Sequence, residues 1–175
     1  MEIKKLNNEE FKDKTYDIEF WSNKYLSVEP AEDGFKMQWM DSPTEIKMTV
    51  HSDNIISDWA DNPMAYGAFN DGKFTGFIEG FLEKWNNRFR ITNINIFDEA
   101  DRKCGTGTLL MQKILEEAVK SGARMAVLET QSFNFKAISF YKKNGFEIIG
   151  FDRFAYSNED PQKHNIRIEM GKKLI

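Results

Sequence analysis

At 175 residues the chain is long enough for one domain with a sizeable core, and its 15 Phe, 5 Tyr and 4 Trp argue against disorder. A net charge of −4 speaks against a nucleic-acid surface, which needs a basic patch. One cysteine, Cys104, excludes an intramolecular disulfide, and no window approaches the roughly 18 apolar residues of a membrane span.

The first residues carry no apolar run of signal-peptide length, so the expectation is a cytoplasmic protein with no membrane partner. Residues 1–6 read as a short strand. Asn7 or Asn8 reads as a helix cap, followed by Glu9 and Glu10 where negative charge is favoured. Phe11, Tyr16, Phe20, Trp21 and Tyr25 recur at mixed helical spacing, which predicts one or two helices up to Pro30. Residues 34–40 and 45–50 read as two short strands around Asp41-Ser42-Pro43, a hairpin or a loosely related pair. Residues 51–63 read as a loop or short helix.

Three strands are then predicted over 64–69, 74–85 and 88–97, joined by Asn70-Asp71-Gly72-Lys73 and by a turn at 85–88, as an antiparallel meander. Strict alternation on the third would put Thr92, Ile94 and Ile96 on one face and Ile91, Asn93 and Asn95 on the other. Residues 108–121 have the period of an amphipathic helix, with Leu110, Ile114 and Ala118 on one stripe, Met111, Leu115 and Val119 beside it, and Gly122 as its stop. Residues 125–129 read as a buried strand parallel to 88–97, which makes the connection a right-handed crossover. A helix over 135–144 stopped by Gly145, strands over 146–154 and 166–174, and a polar loop over 158–164 complete the chain.

Between the third strand and the long helix lies Arg102-Lys103-Cys104-Gly105-Thr106-Gly107-Thr108. Two glycines let a backbone approach a ligand closely, and a helix N-terminus offers unpaired N–H groups at the positive end of its dipole. The pattern is that of a phosphate site, and equally that of a purely structural helix start. Cys104 reads as a small residue tolerated in the loop, since neither His51 nor His164 lies near it in sequence to act as its base.

Further on stand Leu128-Glu129-Thr130-Gln131 and Asn134-x-x-Ala137-x-x-Phe140-Tyr141-x-x-x-Gly145-Phe146. Together with Arg102-x-x-Gly105-x-Gly107, these segments resemble the GNAT superfamily of acetyl-CoA-dependent N-acetyltransferases. The likeness covers residues 64–175, and residues 1–61 match only loosely. Leu128 to Gln131, the Trp85-Asn86-Asn87 turn and Gly150-Phe151-Asp152-Arg153 with Tyr156 are most similar to its streptothricin acetyltransferase branch, whereas Ile168 to Lys173 departs from that branch. The resemblance implies an α/β (α+β) fold: one domain over residues 1–175, a mixed central sheet containing the meander, a strand–glycine loop–helix–strand acetyl-CoA site, and helices on both faces.

By the same resemblance, residues Arg102, Lys103, Cys104, Gly105, Thr106, Gly107 and Thr108 would hold the pyrophosphate of acetyl-CoA. The backbone of Ile94, Asn95 and Ile96 would bind the pantetheine arm, and Asn134 would reach the co-substrate as well as cap its helix. Tyr141 would lie beside the co-substrate as general acid, a phenol being protonated at neutral pH. Many relatives carry an acidic base on the strand before the loop, but this chain has Thr92 and Asn93 there. Glu129 matches the position that a second subset uses, where a partly buried carboxylate would be the base, fix a neighbouring side chain or bind the substrate ammonium. Glu79 and Glu83, sharing a strand face, are candidates for contact with a cationic acceptor. No metal is implied. The expected partner is a small-molecule amine, with a peptide amine or a non-catalytic CoA-binding role as alternatives, and a homodimer is compatible with all three.

Overall fold

The computed structural model describes residues 1–102 and 104–175. In chain order its elements are β1 (Glu2–Lys5), α1 (Asn8–Phe11), β2 (Thr15–Ala31), β3 (Gly34–Asn54), β4 (Met64–Asn70), β5 (Lys73–Glu83), β6 (Arg88–Ile96), α2 (Glu99–Arg102), α3 (Thr106–Lys120), β7 (Met125–Gln131), α4 (Phe135–Lys143), β8 (Glu147–Asp152) and β9 (Arg167–Lys173). The chain divides into two compact units. The first is Met1–Ile18, Val50–Leu128 and Lys172–Ile175, and the second is Glu19–Thr49 and Glu129–Gly171.

In the first unit the strand order is β1-β4-β5-β6-β7. All neighbours there are antiparallel except β6 and β7, which run parallel as the crossover requires. The meander forms where the turn chemistry put it. Asp71 and Gly72 both take positive φ, 49° and 82°, the conformation that a two-residue hairpin turn needs. Helix α3 packs on β4, β5 and β6, burying Leu110, Met111, Ile114 and Ala118 at about 1.5–3 kcal/mol for each large side chain. Val119, placed on the flanking stripe by its spacing, is exposed. An aromatic cluster fills the rest of this core: Phe74 meets Phe11, Phe69 and Phe97 at 5.5, 5.3 and 5.3 Å between ring centroids, and Tyr16 meets Phe77 at 5.0 Å.

Alternation on β6 is broken. Glu79 pairs with Asn93 and Gly80 with Ile91, so Thr92 is the extra residue of a bulge. Gly80 sits where the strands close on each other: a Cβ there would lie 2.5 Å from the Phe89 ring and 2.7 Å from the Arg90 carbonyl.

The second unit is built on the order β7-β9-β8, with β8 and β9 antiparallel. Ser132 ties it together. Its carbonyl accepts from the Leu26 N–H, its N–H donates to the Ile166 carbonyl (both 2.8 Å), and its hydroxyl donates to the His164 carbonyl at 2.7 Å. Phe133 stacks on Phe20 at 5.5 Å, and Tyr25 on His164 at 3.7 Å.

Residues 15–54 correct the sequence reading. Where one or two helices were expected, only Asn8–Phe11 is helical and β2 is a strand of 17 residues. The withdrawn positions are Tyr16, Ile18, Phe20 and Ser22, with exposed residues between them, which is a period of two. Counting Phe11, Trp21 and Tyr25 into the same series produced the helical spacing. The two short strands expected around Pro43 are one strand, β3, and the chain reverses at Glu32-Asp33 instead. β2 and β3 form a two-stranded sheet, in which every strand is an edge and a proline is tolerated.

Candidate active site

In the first unit the β6–β7 ladder covers Arg88↔Met125, Phe89↔Ala126 and Arg90↔Val127, while β6 runs on to Ile96. Among the described residues no β7 partner follows Arg90, so the backbone of Ile94, Asn95 and Ile96 lies past the end of the ladder. Asn95 and Ile96 are buried and Ile94 is half-buried. Arg102 closes the short α2, and its Nε donates to the Ile96 carbonyl at 2.9 Å. Lys103 lies outside the described residues. Cys104 is exposed.

The long helix begins two residues earlier than its sequence pattern suggested, so Thr106, Gly107 and Thr108 form its first turn. Gly105 precedes it with φ 81° and ψ 5°, a left-handed conformation that only glycine holds without strain. No side chain caps the helix, and a Cβ on Gly105 would meet nothing within 4 Å. An uncapped 15-residue helix behind an open glycine turn presents N–H donors and positive dipole to an anion. These residues therefore fit a pyrophosphate, one of the charged groups of acetyl-CoA.

Beside β6 the first unit holds an arrangement that the sequence did not disclose. Glu79 on β5 is completely buried, and its carboxylate accepts from the Ser57 N–H (2.7 Å), the Ser57 hydroxyl (2.6 Å) and the Thr92 hydroxyl. Ser57 is itself buried and Thr92 only half so. Nearby the Tyr16 hydroxyl donates to Asp53 at 2.8 Å and lies 3.1 Å from the Asn93 side-chain oxygen. Glu83, grouped with Glu79 by its spacing, is a different case. Burial works against its charge, but the Arg90 guanidinium at 2.5 Å, with Asn86 and Arg88, holds its carboxyl below the usual range. The one local signal for the buried group was an acid inside the apolar run Phe77-Ile78-Glu79-Gly80-Phe81.

In the second unit, Asn134 caps α4 by accepting from the Ala137 N–H at 3.3 Å. Tyr141 is buried on that helix between Phe140 and Phe146, and burial pushes its phenol up to about 12. Glu129, expected to be partly buried, is exposed, because alternation along β7 turns it away from the buried Leu128 and Thr130. It shares Arg167 with two other carboxylates, the distances being 3.9 Å to Glu129, 3.8 Å to Asp152 and 3.5 Å to Glu169. Next to them, burial and the Glu129 charge push Tyr156 up to about 12.

A strand that outruns its parallel partner, followed by an uncapped glycine turn and a helix, is the architecture the resemblance foretold, and residues 16–146 match the acetyltransferase (GNAT) family. The chain belongs to the GNAT family. It is an acetyl-CoA-dependent N-acetyltransferase, an acyltransferase with an α/β mixed-sheet fold. It is 30% identical over 141 residues to streptothricin acetyltransferase of Escherichia coli, covering 80% of this chain and 76% of that protein. It is 38% identical over 74 residues to streptothricin acetyltransferase A of Bacillus subtilis (strain 168), a match spanning only 42% of each protein. The crystal structure of nourseothricin acetyltransferase shares the fold, with a TM-score of 0.80 at 21% identity over 99% of this chain and 98% of that one. The branch of the GNAT family suggested by Leu128 to Gln131 is thus the one its relatives occupy. Among the described residues no group of His, Cys, Asp and Glu is placed to hold a metal ion, and no helix is long and apolar enough to cross a membrane.

Proposed function

We propose that the 175 residues work as one cytoplasmic N-acetyltransferase domain whose acceptor is the primary amine of a small cationic molecule, streptothricin being the first to test. The observation that carries the acceptor class is the group of carboxylates around Arg167. Glu129, Asp152 and Glu169 bring three carboxylates within 4 Å of Arg167, an acidic grouping that suits an ammonium. The relative that is 30% identical is named for streptothricin, which agrees with this class.

Acetyl-CoA supplies the acetyl group as a thioester. The first turn of α3 and Arg102 bind its pyrophosphate through backbone N–H groups and a guanidinium, with Lys103 and Cys104 next to Arg102 in sequence. The edge of β6 at Ile94, Asn95 and Ile96 offers N–H and C=O groups to its amide arm. Asn134 holds the N-terminus of α4 and with it the placement of Tyr141. The phenol of Tyr141 stays protonated through neutral pH and donates its Oη proton to the departing sulfur. Glu129 draws in the cationic acceptor by its charge.

The test is thiol release from acetyl-CoA with streptothricin, simple alkylamines and a lysine-containing peptide as acceptors. Turnover with streptothricin or an alkylamine and none with the peptide is the expected result. Turnover with the peptide alone would replace the small molecule by a protein acceptor.

A further inference from the structure

A buried carboxylate costs several kcal/mol to desolvate, and it is normally paired with a cation. Glu79 has none among the described residues; hydrogen bonds from Ser57 and Thr92 hold it. Two of those three donors belong to Ser57, which is buried. The third is the hydroxyl of Thr92, which is half-buried and is the extra residue of the β6 bulge. Among the described residues Thr92 is therefore the one hydrogen-bonded route from this carboxylate toward solvent. It also lies on β6 past Arg90, where the β7 ladder has ended.

We infer that Thr92 and Glu79 form a proton-accepting pair for the acceptor amine, with Thr92 touching the ammonium and Glu79 acting through it. This rests on the amine acetylation proposed above. The ammonium nitrogen gives an N–H proton to Thr92 Oγ1 as the hydroxyl's own proton passes to the Glu79 carboxylate. The electron pair left on nitrogen forms the new C–N bond; as the C–S bond breaks, the nitrogen loses its second proton to solvent and the sulfur takes its proton from Tyr141. Glu79 then returns its proton through Thr92, and solvent restores Tyr141. Thr92 is a catalytic residue on this account and Glu79 a positioning and storage residue.

Tyr16 of β2 and Asp53 of β3 bond each other at 2.8 Å beside Asn93, and Glu83 of β5 is engaged by Arg90 of β6. The β4 residue opposite Glu79 is Ala65, which has no charge.

Thr92→Val removes the hydroxyl but leaves both Ser57 bonds to Glu79, and Thr92→Ser restores the hydroxyl. With streptothricin as acceptor, Thr92→Val should lose about 10²-fold or more in rate near pH 7. The deficit should shrink toward pH 10, where an alkylammonium of pKa about 10 deprotonates unaided. Thr92→Ser should stay within about threefold of wild type, an ordinary range for a role kept by the conservative residue. Acetyl-CoA affinity by calorimetry should be unchanged in both variants, while the melting temperature should fall in Thr92→Val, which takes one donor from a buried carboxylate, and hold in Thr92→Ser. A deficit that does not vary with pH, or a serine variant as slow as the valine one, overturns the pair while leaving the acetyltransferase reading intact. A wild-type protein that acetylates no amine overturns both.

Discussion

Glu79 and Glu129 are both strand carboxylates, one in each compact unit, and the protein treats them in opposite ways. Glu79 has no solvent exposure and three hydrogen-bond donors. Glu129 is exposed and shares one guanidinium, at 3.9 Å, with two other acids. The first group is built into the fold: its donors come from positions 13 and 22 residues away, so the loop after β3, the middle of β5 and the bulge of β6 must all be in place for it to be satisfied. The second is exposed on its strand, where ion pairs contribute little to stability. Burial therefore separates a carboxylate fixed by donors from three elements from one that faces solvent, a distinction that residue type alone does not make.

The largest expected contrast is in stability. Glu79→Ala leaves two hydroxyls and a backbone N–H without their acceptor and opens a cavity, so it should cost about 3–5 kcal/mol. Glu129→Ala should stay within about 0.5 kcal/mol of wild type, as surface changes do. Urea unfolding of the two variants measures the difference. Equal losses would mean that the two environments are not distinct.

The second unit has a buried titratable group of its own, Tyr141, and it gives the next largest effect. Its phenol is pushed up to about 12 by burial, above the ordinary phenol value of about 10. Between those values the unfolded chain loses the proton and the folded protein keeps it. The stabilisation is therefore complete below pH 10 and is lost as pH rises toward 12, by roughly 2–3 kcal/mol in all. Tyr141→Phe should flatten that alkaline decline. It should not abolish it, because Tyr156 is raised in the same direction but is partly exposed and contributes less. In turnover the same variant should lose about 10²–10⁴-fold if the hydroxyl is the general acid. Wild-type turnover would remove Tyr141 from the chemistry while leaving the alkaline result standing.

What could be read in the sequence follows the same line between local and distant causes. The Asn70 to Lys73 turn, the α3 stripe, the stop at Gly122 and the Asn134 cap are decided by residues within a few positions of each other, and they were legible. So was the glycine turn, because the φ of 81° at Gly105 belongs to that residue alone. The β2–β3 ribbon was not legible, since its aromatics satisfy a helical count as well as an alternating one, and only pairing with a distant strand selects between them. Thr92 was placed on the wrong pattern because a bulge is set by cross-strand register. Glu79 looked like Glu83 four residues on, because nothing local says that one meets hydroxyls and the other Arg90.

A smaller effect tests the exposed carboxylate alone. Glu129→Gln keeps size and polarity but removes one negative charge near the proposed ammonium site. The acceptor's KM should rise roughly tenfold, a loss of about 1.4 kcal/mol, with kcat changed less. A fall in kcat with unchanged KM, largest where the amine is charged, would make Glu129 the base and displace Thr92 and Glu79 from that role.

Salt gives the finest discrimination. At 0.1 M ionic strength the screening length is about 10 Å, and near 1 M it is about 3 Å, shorter than the distances in the Arg167 cluster. Attraction between the exposed carboxylates and a cationic acceptor should weaken over that range. The KM of wild type should rise, and the KM ratio between Glu129→Gln and wild type should fall from roughly tenfold toward two- or threefold. The stability loss of Glu79→Ala comes from unpaired buried donors, out of reach of mobile ions, so it should keep its size from low to high salt. A KM ratio that ignores salt would show that Glu129 acts by a fixed hydrogen bond instead of by charge, which would place it closer in kind to Glu79.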